Sequence, residues 1–220
     1  MIFRHKSIEH IGLYAKASDE FVIAGNLNST HFYSMLNKLS DKIVKIDIFG
    51  SPAITFFIAC NKNGIVLPFF TEKYVLSTLK QELGLNIMIY EGKNTALGNV
   101  LSVNDKMCIC SKYMEKKDLK RIEDTLGVET IQVDLGNYVT PGSLILLTNK
   151  GFCLSPLIKD KYDEIKSLLN ISGEVVTCNT GSPFLHIGII ANSKAALVGF
   201  KTTGFEMGRI QMALDLVEQK

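Results

Sequence analysis

Cys178 and His186 stand close together in the last fifth of the chain. A thiol and an imidazole can act as nucleophile and base, and Asp47 or Asp134 supplies a carboxylate to orient the ring. No basic residue flanks Cys178 in "VVTCNTGS" to lower its pKa. His5, His10 and His31 all fall near the N-terminus, so His186 reads as a rim or core histidine. Cys108-x-Cys110 offers a second chemistry, half of a metal site. No second Cys or His pair at matched spacing accompanies it, and on a strand both thiols face one side, which suits core packing. We therefore expect no catalytic residue, no metal and no cofactor. The third group is neither acid nor base. It is the amide and glycine pair of "NTALGNV" (94–100), placed where a strand should begin.

These groups sit in a chain of 220 residues with a formal net charge of +2. At 46% hydrophobic and 21% charged it has the balance of a globular protein, and it is long enough to bury a core without staples. A general nucleic-acid coat protein would be strongly basic. The five cysteines, an odd number lying mostly in apolar runs, read as reduced thiols of a cytosolic or nuclear protein. The N-terminal "MIFRHKSIEH" carries charges where a signal peptide needs an apolar core. The longest uncharged run, from Val175 to Ser193, is broken by Asn179, Gly181 and Pro183, so we expect no membrane span.

Self-similarity organises the chain. Ser18, Asn61, Asn104, Asn149 and Asn192 open "SDEFVIAG", "NKNGIVLP", "NDKMCICS", "NKGFCLSP" and "NSKAALVG". Each anchor starts a polar turn between two apolar runs, which predicts a hairpin. A helical stripe follows in every copy. It comprises Phe32, Met35, Leu36 and Leu39; then Val75, Leu79 and Leu83; Leu119, Ile122 and Leu126; Tyr162, Ile165 and Leu169; and Met207, Ile210, Leu214 and Val217. Short strand-like runs close four copies: "KIVKIDI", "NIMI", "VETIQV" and "GEVVT". Thr202 or Thr203 with Glu206 predicts a capping box on the fifth helix. One hairpin–helix–strand unit cannot bury its own faces, and five in a line leave two raw edges. The expected architecture is one α/β domain, a five-fold pseudo-symmetric ring with strands inside and helices outside. Its repeats run approximately 1–48, 49–91, 92–134, 135–178 and 179–220.

The segments "NTALGNVLSVND", "TPGSLILLTNKG" and "GIIANSKAALVGFKTTGFEM" resemble the translation initiation factor 6 family, the ribosome anti-association factors. The resemblance runs in register with all five repeats, and "FYSMLNKLSD" (32–41) resembles the eukaryotic branch. It implies the pentein fold, which the repeats reach independently. It also implies binding to the inter-subunit face of the large ribosomal subunit, which keeps the small subunit from joining. Further implications are a role in late large-subunit maturation between nucleus and cytoplasm, and release by an elongation-factor-like GTPase with its partner protein. The tail that many eukaryotic members carry beyond the fifth helix is expected to be missing, and the chain is expected to be a monomer. It is open whether such a factor would act in biogenesis or as a cap on idle ribosomes.

Five residues before each anchor stand Leu13, Phe56, Asn99, Leu144 and Ile187. In a ring they share one level. Four are apolar, and Asn99 breaks the pattern with a group that both donates and accepts. We expect this end to dock on the ribosome, with Asn99 as a polar contact and Gly98 beside it admitting a close backbone approach. Gly12 and Gly188 are placed on the same face, although close packing around the axis is the simpler reading of Gly12, Gly142 and Gly188. The resemblance suggests larger polar or aromatic groups where Phe56 and Leu144 stand. The modest charge favours ribosomal protein over nearby rRNA as the main contact, with Arg4, Lys16 and Lys201 as rim cations open to RNA. The competing expectation is a pentein enzyme that attacks guanidine groups through Cys178 and His186.

Overall fold

A computed structural model of the chain describes residues 1–217. Its strands, in chain order, are β1 (Ile2–Arg4), β2 (Ala15–Ala17), β3 (Val22–Ala24), β4 (Ile43–Lys45), β5 (Ala59–Cys60), β6 (Gly64–Pro68) and β7 (Asn86–Tyr90). These are followed by β8 (Leu101–Val103), β9 (Met107–Ser111), β10 (Glu129–Val133), β11 (Ile145–Leu147), β12 (Gly151–Leu154), β13 (Ser172–Val175), β14 (Ile189–Ala191) and β15 (Ala196–Val198). They form five sheets of three strands. Every sheet repeats one rule: an antiparallel hairpin, then a parallel strand on the far side of its second member. The first four blades are β2-β3-β4, β5-β6-β7, β8-β9-β10 and β11-β12-β13. The parallel partner arrives through an outer helix, as a parallel crossover requires.

The fifth blade departs from simple repetition. Its hairpin is β14-β15, and its parallel strand is β1, with Ile2 opposite Ala196 and Arg4 opposite Val198. The strand-like run that the fifth copy lacks is thus supplied by the start of the chain. The Met1 ammonium donates to the carbonyl of Leu216 at 3.2 Å, which ties the two ends of the described chain together.

The outer helices span Thr30–Leu36, Lys73–Leu83, Lys116–Leu126, Tyr162–Leu169 and Gly204–Ala213. Each turns a narrow apolar stripe inward: Phe32, Met35 and Leu36 in the first, Val75 and Leu79 in the second, Ile122 and Leu126 in the third. Gly84 and Gly127 end two of them in the left-handed conformation, which frees the chain to return as a strand. The capping box forms at Thr203: its hydroxyl accepts from Glu206 N, and the Glu206 carboxylate accepts from Thr203 N. The fifth helix ends at Ala213, so Val217, expected on its buried stripe, lies beyond it and is exposed.

The core consists of five apolar clusters, each straddling two neighbouring blades. Ile23 and Val44 meet Ile58 and Ile65 between the first and second blades; Val66 and Met88 meet Leu101 and Cys108 between the second and third. Ile109 and Val133 meet Phe152 and Ile165 between the third and fourth. Cys153 and Val176 meet Ile189 and Ile210 between the fourth and fifth. Ile190 and Leu197 of the fifth blade pack on Ile11, Val22 and Phe32 of the first, which closes the circle. The protein is an α/β pentein, a five-fold pseudo-symmetric ring with short strands inside and helices outside. No helix among the described residues is long and apolar enough to cross a membrane.

Candidate docking surface

The two ends of the ring are built differently. At one end lie the hairpin turns. Ser18, Asn61, Asn104 and Asn192 each bond across the turn to the residue three further on, and in the fourth blade the same bond is made by Thr148, from its N–H to Gly151 O. Asn61 and Asn104 stand 43 residues apart, and Asn104 and Thr148 stand 44. The structural equivalent of the anchors in the fourth copy is therefore Thr148. Asn149, taken as the anchor from the sequence, is one residue further on. Its side-chain amide donates to Asp19 Oδ2 and Asp105 Oδ2 at 2.8 and 2.7 Å.

At the other end, each blade begins with one short helical turn: Ile11–Leu13, Ile54–Phe56, Leu97–Val100, Pro141–Leu144 and Leu185–Gly188. These five turns touch in cyclic order around the axis. Glycine makes the approach possible. A side chain at Gly12 would strike the His186 carbonyl oxygen, at Gly98 the Thr55 oxygen and at Gly142 the Gly98 oxygen. Gly188 instead makes room for the Cys178 sulfur. Gly12, Gly98 and Gly188 are all buried, so they shape this end by close packing and present no surface of their own.

Leu13, Phe56, Asn99 and Ile187 are half-buried on these turns, one in each of four blades. Leu144 is fully buried in the cluster between the third and fourth blades. Leu144 falls on the pentagon only when Asn149 is the anchor. Counting from Thr148 gives Ser143, which is half-buried like the other four. The open pentagon is thus Leu13, Phe56, Asn99, Ser143 and Ile187: three apolar groups, one amide and one hydroxyl. The hairpin bond at Thr148 is the signal that recovers Ser143.

The expected rim cations are all engaged. Arg4 donates to Thr202 O at 3.2 Å, and Lys201 pairs with Glu9 at 2.8 Å. Lys16 is not on the rim at all. It is buried on the inner strand β2, with Nζ 3.3 Å from His186 Nδ1. His186 Nε2 lies 3.2 Å from Ile145 O, so that nitrogen carries the proton and Nδ1 accepts from the lysine. Burial, then the neighbouring lysine, holds the His186 pKa well below the usual imidazole value.

The same contacts weigh on the enzyme alternative. Both His186 nitrogens are occupied, so neither is free to take a thiol proton. Burial pushes the Cys178 thiol up to about 12, the opposite of activation. Its sulfur faces the carbonyls of Ser182 and Phe184. Asp47 accepts from Asn26, and Asp134 pairs with Lys112. Cys108 and Cys110 lie buried on β9, and burial raises the Cys110 thiol to about 12.

The sequence model of the eIF-6 family matches residues 3–213. Translation initiation factor 6 of Staphylothermus marinus is 35% identical over 210 residues, covering 93% of this chain and 92% of that protein. The factor of Thermoplasma acidophilum is 35% identical over 209 residues, covering 93% and 94%. Both relatives are archaeal proteins. Among solved structures, a mutant of DDAH from Pseudomonas aeruginosa complexed with citrulline overlays 93% of this chain and 74% of its own. Its identity is 9% and its TM-score 0.46, a likeness too slight to carry any chemistry across. From the family match and the identities over nearly its full length, the chain belongs to the eIF-6 family.

Proposed function

We propose that the chain binds the inter-subunit face of the large ribosomal subunit through the short-helix end of its ring and so prevents premature joining of the small subunit. The observation that carries this reading is the open pentagon of Leu13, Phe56, Asn99, Ser143 and Ile187. Five turns locked by backbone packing present it as one preformed surface, and preformed surfaces lose little on binding. Its apolar members supply the desolvated centre, and Asn99 and Ser143 supply direction. The engaged rim cations favour ribosomal protein over rRNA phosphate as the main contact. In this reading the chain is a binding protein and not an enzyme. It acts in late large-subunit maturation between nucleus and cytoplasm, holds idle subunits apart, and is released by an elongation-factor-like GTPase and its partner protein. We place it in the eukaryotic branch on the resemblance of residues 32–41.

The test is co-sedimentation with purified large and small subunits, separately and mixed, at low and high salt. Binding to the large subunit alone, with loss of joined ribosomes and a weak salt dependence, is expected. Binding to neither subunit overturns the reading.

A further inference from the structure

Three blades end their third strand in a short turn, closed by the bridges Ile48–Ser51, Leu135–Tyr138 and Cys178–Ser182. The first residue of each turn is left-handed. In the third and fourth blades it is Gly136 (φ 67°) and Asn179 (φ 46°), the residue types that tolerate this conformation. In the first blade it is Phe49, at φ 55°. A bulky side chain there is an outlier, and such strain gathers at functional positions. Nor is it offset by burial, because Phe49 is 77% exposed.

Phe49 belongs to a group. Its ring lies 6.1 Å from that of Phe70, and Phe57 and Phe69 each lie 5.5 Å from the same ring. The three interplanar angles, 69°, 86° and 78°, are all near perpendicular, so Phe70 is a hub with no ring stacked face to face upon it. Phe69 is 58% exposed and Tyr74 55%. Tyr74 donates from its hydroxyl to the Asp47 carbonyl at 3.1 Å. Asp47 is half-buried, and its carboxylate accepts from Asn26 N at 2.9 Å and from Asn26 Nδ2 at 3.1 Å. Glu72 Oε2 is buried and finds no donor among the described residues. The nearby Lys45 is already seated 3.7 Å over the ring of Tyr33. Lys73 is exposed at the start of the second outer helix.

We propose that Phe49, Phe69 and Tyr74, flanked by Asp47 and Glu72, form a docking site for a basic, extended segment of a protein partner. Arginine or lysine side chains lie across the open ring faces, in the field of the Asp47 and Glu72 carboxylates, neither of which has a cationic partner among the described residues. A cation over an aromatic face is attracted by the ring quadrupole, and a flanking carboxylate strengthens the hold. The same carboxylates repel a phosphate backbone, which sets a polypeptide apart from RNA as the occupant. The site is at the short-helix end, because β4 and β6 both run toward it, and it adjoins Phe56 through Phe57. It extends the docking surface without resting on the ribosomal reading.

The test uses the isolated full chain and a fluorescein-labelled decapeptide of alternating arginine and glycine, followed by fluorescence anisotropy. Saturable binding is expected, weakened about fivefold in Phe49→Asn and in Phe69→Ser, the size of one cation–π contact. Asparagine suits the left-handed turn, so Phe49→Asn should fold at least as stably as the parent. Phe205, 76% exposed on the fifth outer helix, is the control, and Phe205→Ser should bind as the parent does. Three results would overturn the proposal: no saturable peptide binding; equal loss in Phe205→Ser; or binding of a ten-nucleotide uridylate that competes with the peptide and is lost in Phe49→Asn. Subunits are absent from this measurement, so its failure leaves the co-sedimentation result untouched, and the reverse holds.

Discussion

The hairpin end and the short-helix end of the ring use the same five-fold plan for opposite purposes. At the hairpin end, Asn61 Nδ2 donates to Asn104 O, Asn104 Nδ2 to Thr148 O and Asn192 Nδ2 to Ser18 O. The Oδ1 of each asparagine closes its own turn, as Asn61 Oδ1 does by accepting from Asn63 N and Gly64 N. The amide is used on both sides, so blade is sewn to blade and little is left over for a partner. At the short-helix end Gly12, Gly98 and Gly142 pack against backbone and Gly188 against the Cys178 sulfur, and the five side chains of the pentagon are half-buried. The large exposed apolar groups of the blades gather there too: Phe49, Phe69, Tyr113, Tyr138, Phe184 and Phe200 all follow strands that run toward that end. Single exposed apolar residues are ordinary, but their concentration on one face marks an interaction surface. Sewing the ring shut at one end with polar groups leaves the other end free to carry apolar ones.

Paired substitutions test this division most severely. Asn61→Ala removes a buried amide and leaves the carbonyl of Asn104 without its donor, which costs about 2–3 kcal/mol. Gly98→Ala drives a methyl group into the Thr55 carbonyl, an overpacking that costs about 1–3 kcal/mol. In a chain of this size either change lowers Tm by roughly 2–4 °C per kcal/mol. Thermal unfolding should show both losses. Co-sedimentation well below Tm should separate them, with Asn61→Ala binding the large subunit normally and Gly98→Ala weakly. Equal binding by both would mean that the pentagon is not held by its glycine seam.

How much of this division is legible in the sequence depends on where the signal is stored. The ring is legible because the turn chemistry recurs locally: Asn at Asn61, Asn104 and Asn192 does the same work each time. The fourth copy misleads because Thr148 makes the turn with a hydroxyl while Asn149, next to it, resembles the pattern better. That single shift buries Leu144 where an open residue was expected and hides Ser143. The β1–β15 pairing joins three residues at the start of the chain to three near its end, and no periodicity records so distant a partner. Lys16 reads as a surface cation because charge normally is one. Only the closed ring turns that position of β2 toward the axis. Phe49 gives no local sign either, since its strain exists only once the turn is formed.

The buried pair of Lys16 and His186 sharpens the comparison with a smaller effect. The hairpin seam joins its amides to two carboxylates, Asp19 and Asp105, bridged by Asn149, whereas the short-helix end includes a histidine held neutral. In the unfolded chain that imidazole titrates near its usual value of about 6.5, and in the folded chain its pKa is well below. Below pH 6.5 the unfolded state therefore binds the extra proton, and stability is lost as pH falls. His5 shifts the same way, through burial and then His31, so the parent carries both contributions. Denaturant titrations at pH 7 and pH 5 should show the parent losing stability. His186→Gln, whose amide can still donate toward Ile145 O, should lose less, by up to about 2 kcal/mol. An identical loss in both proteins would place the titrating group elsewhere.

The finest test changes one atom type on the open face. Asn99→Asp keeps the size and shape of the side chain but removes its donor and adds a charge. Asn99 is half-buried on a turn whose backbone is fixed by its neighbours, so thermal stability should move by no more than about 0.5 kcal/mol, as for an ordinary surface substitution. If the amide donates to a partner, binding to the large subunit should weaken about tenfold, since an acceptor then faces an acceptor and carries an unpaired charge into the contact. Lys150→Glu, at the exposed hairpin end, is the matched control: it makes a larger charge change and should alter neither quantity. A tenfold loss in Asn99→Asp beside an unchanged Lys150→Glu assigns recognition to the short-helix end. Equal losses in both would reduce the effect to net charge, and unchanged binding in Asn99→Asp would leave the amide as a local feature of its turn.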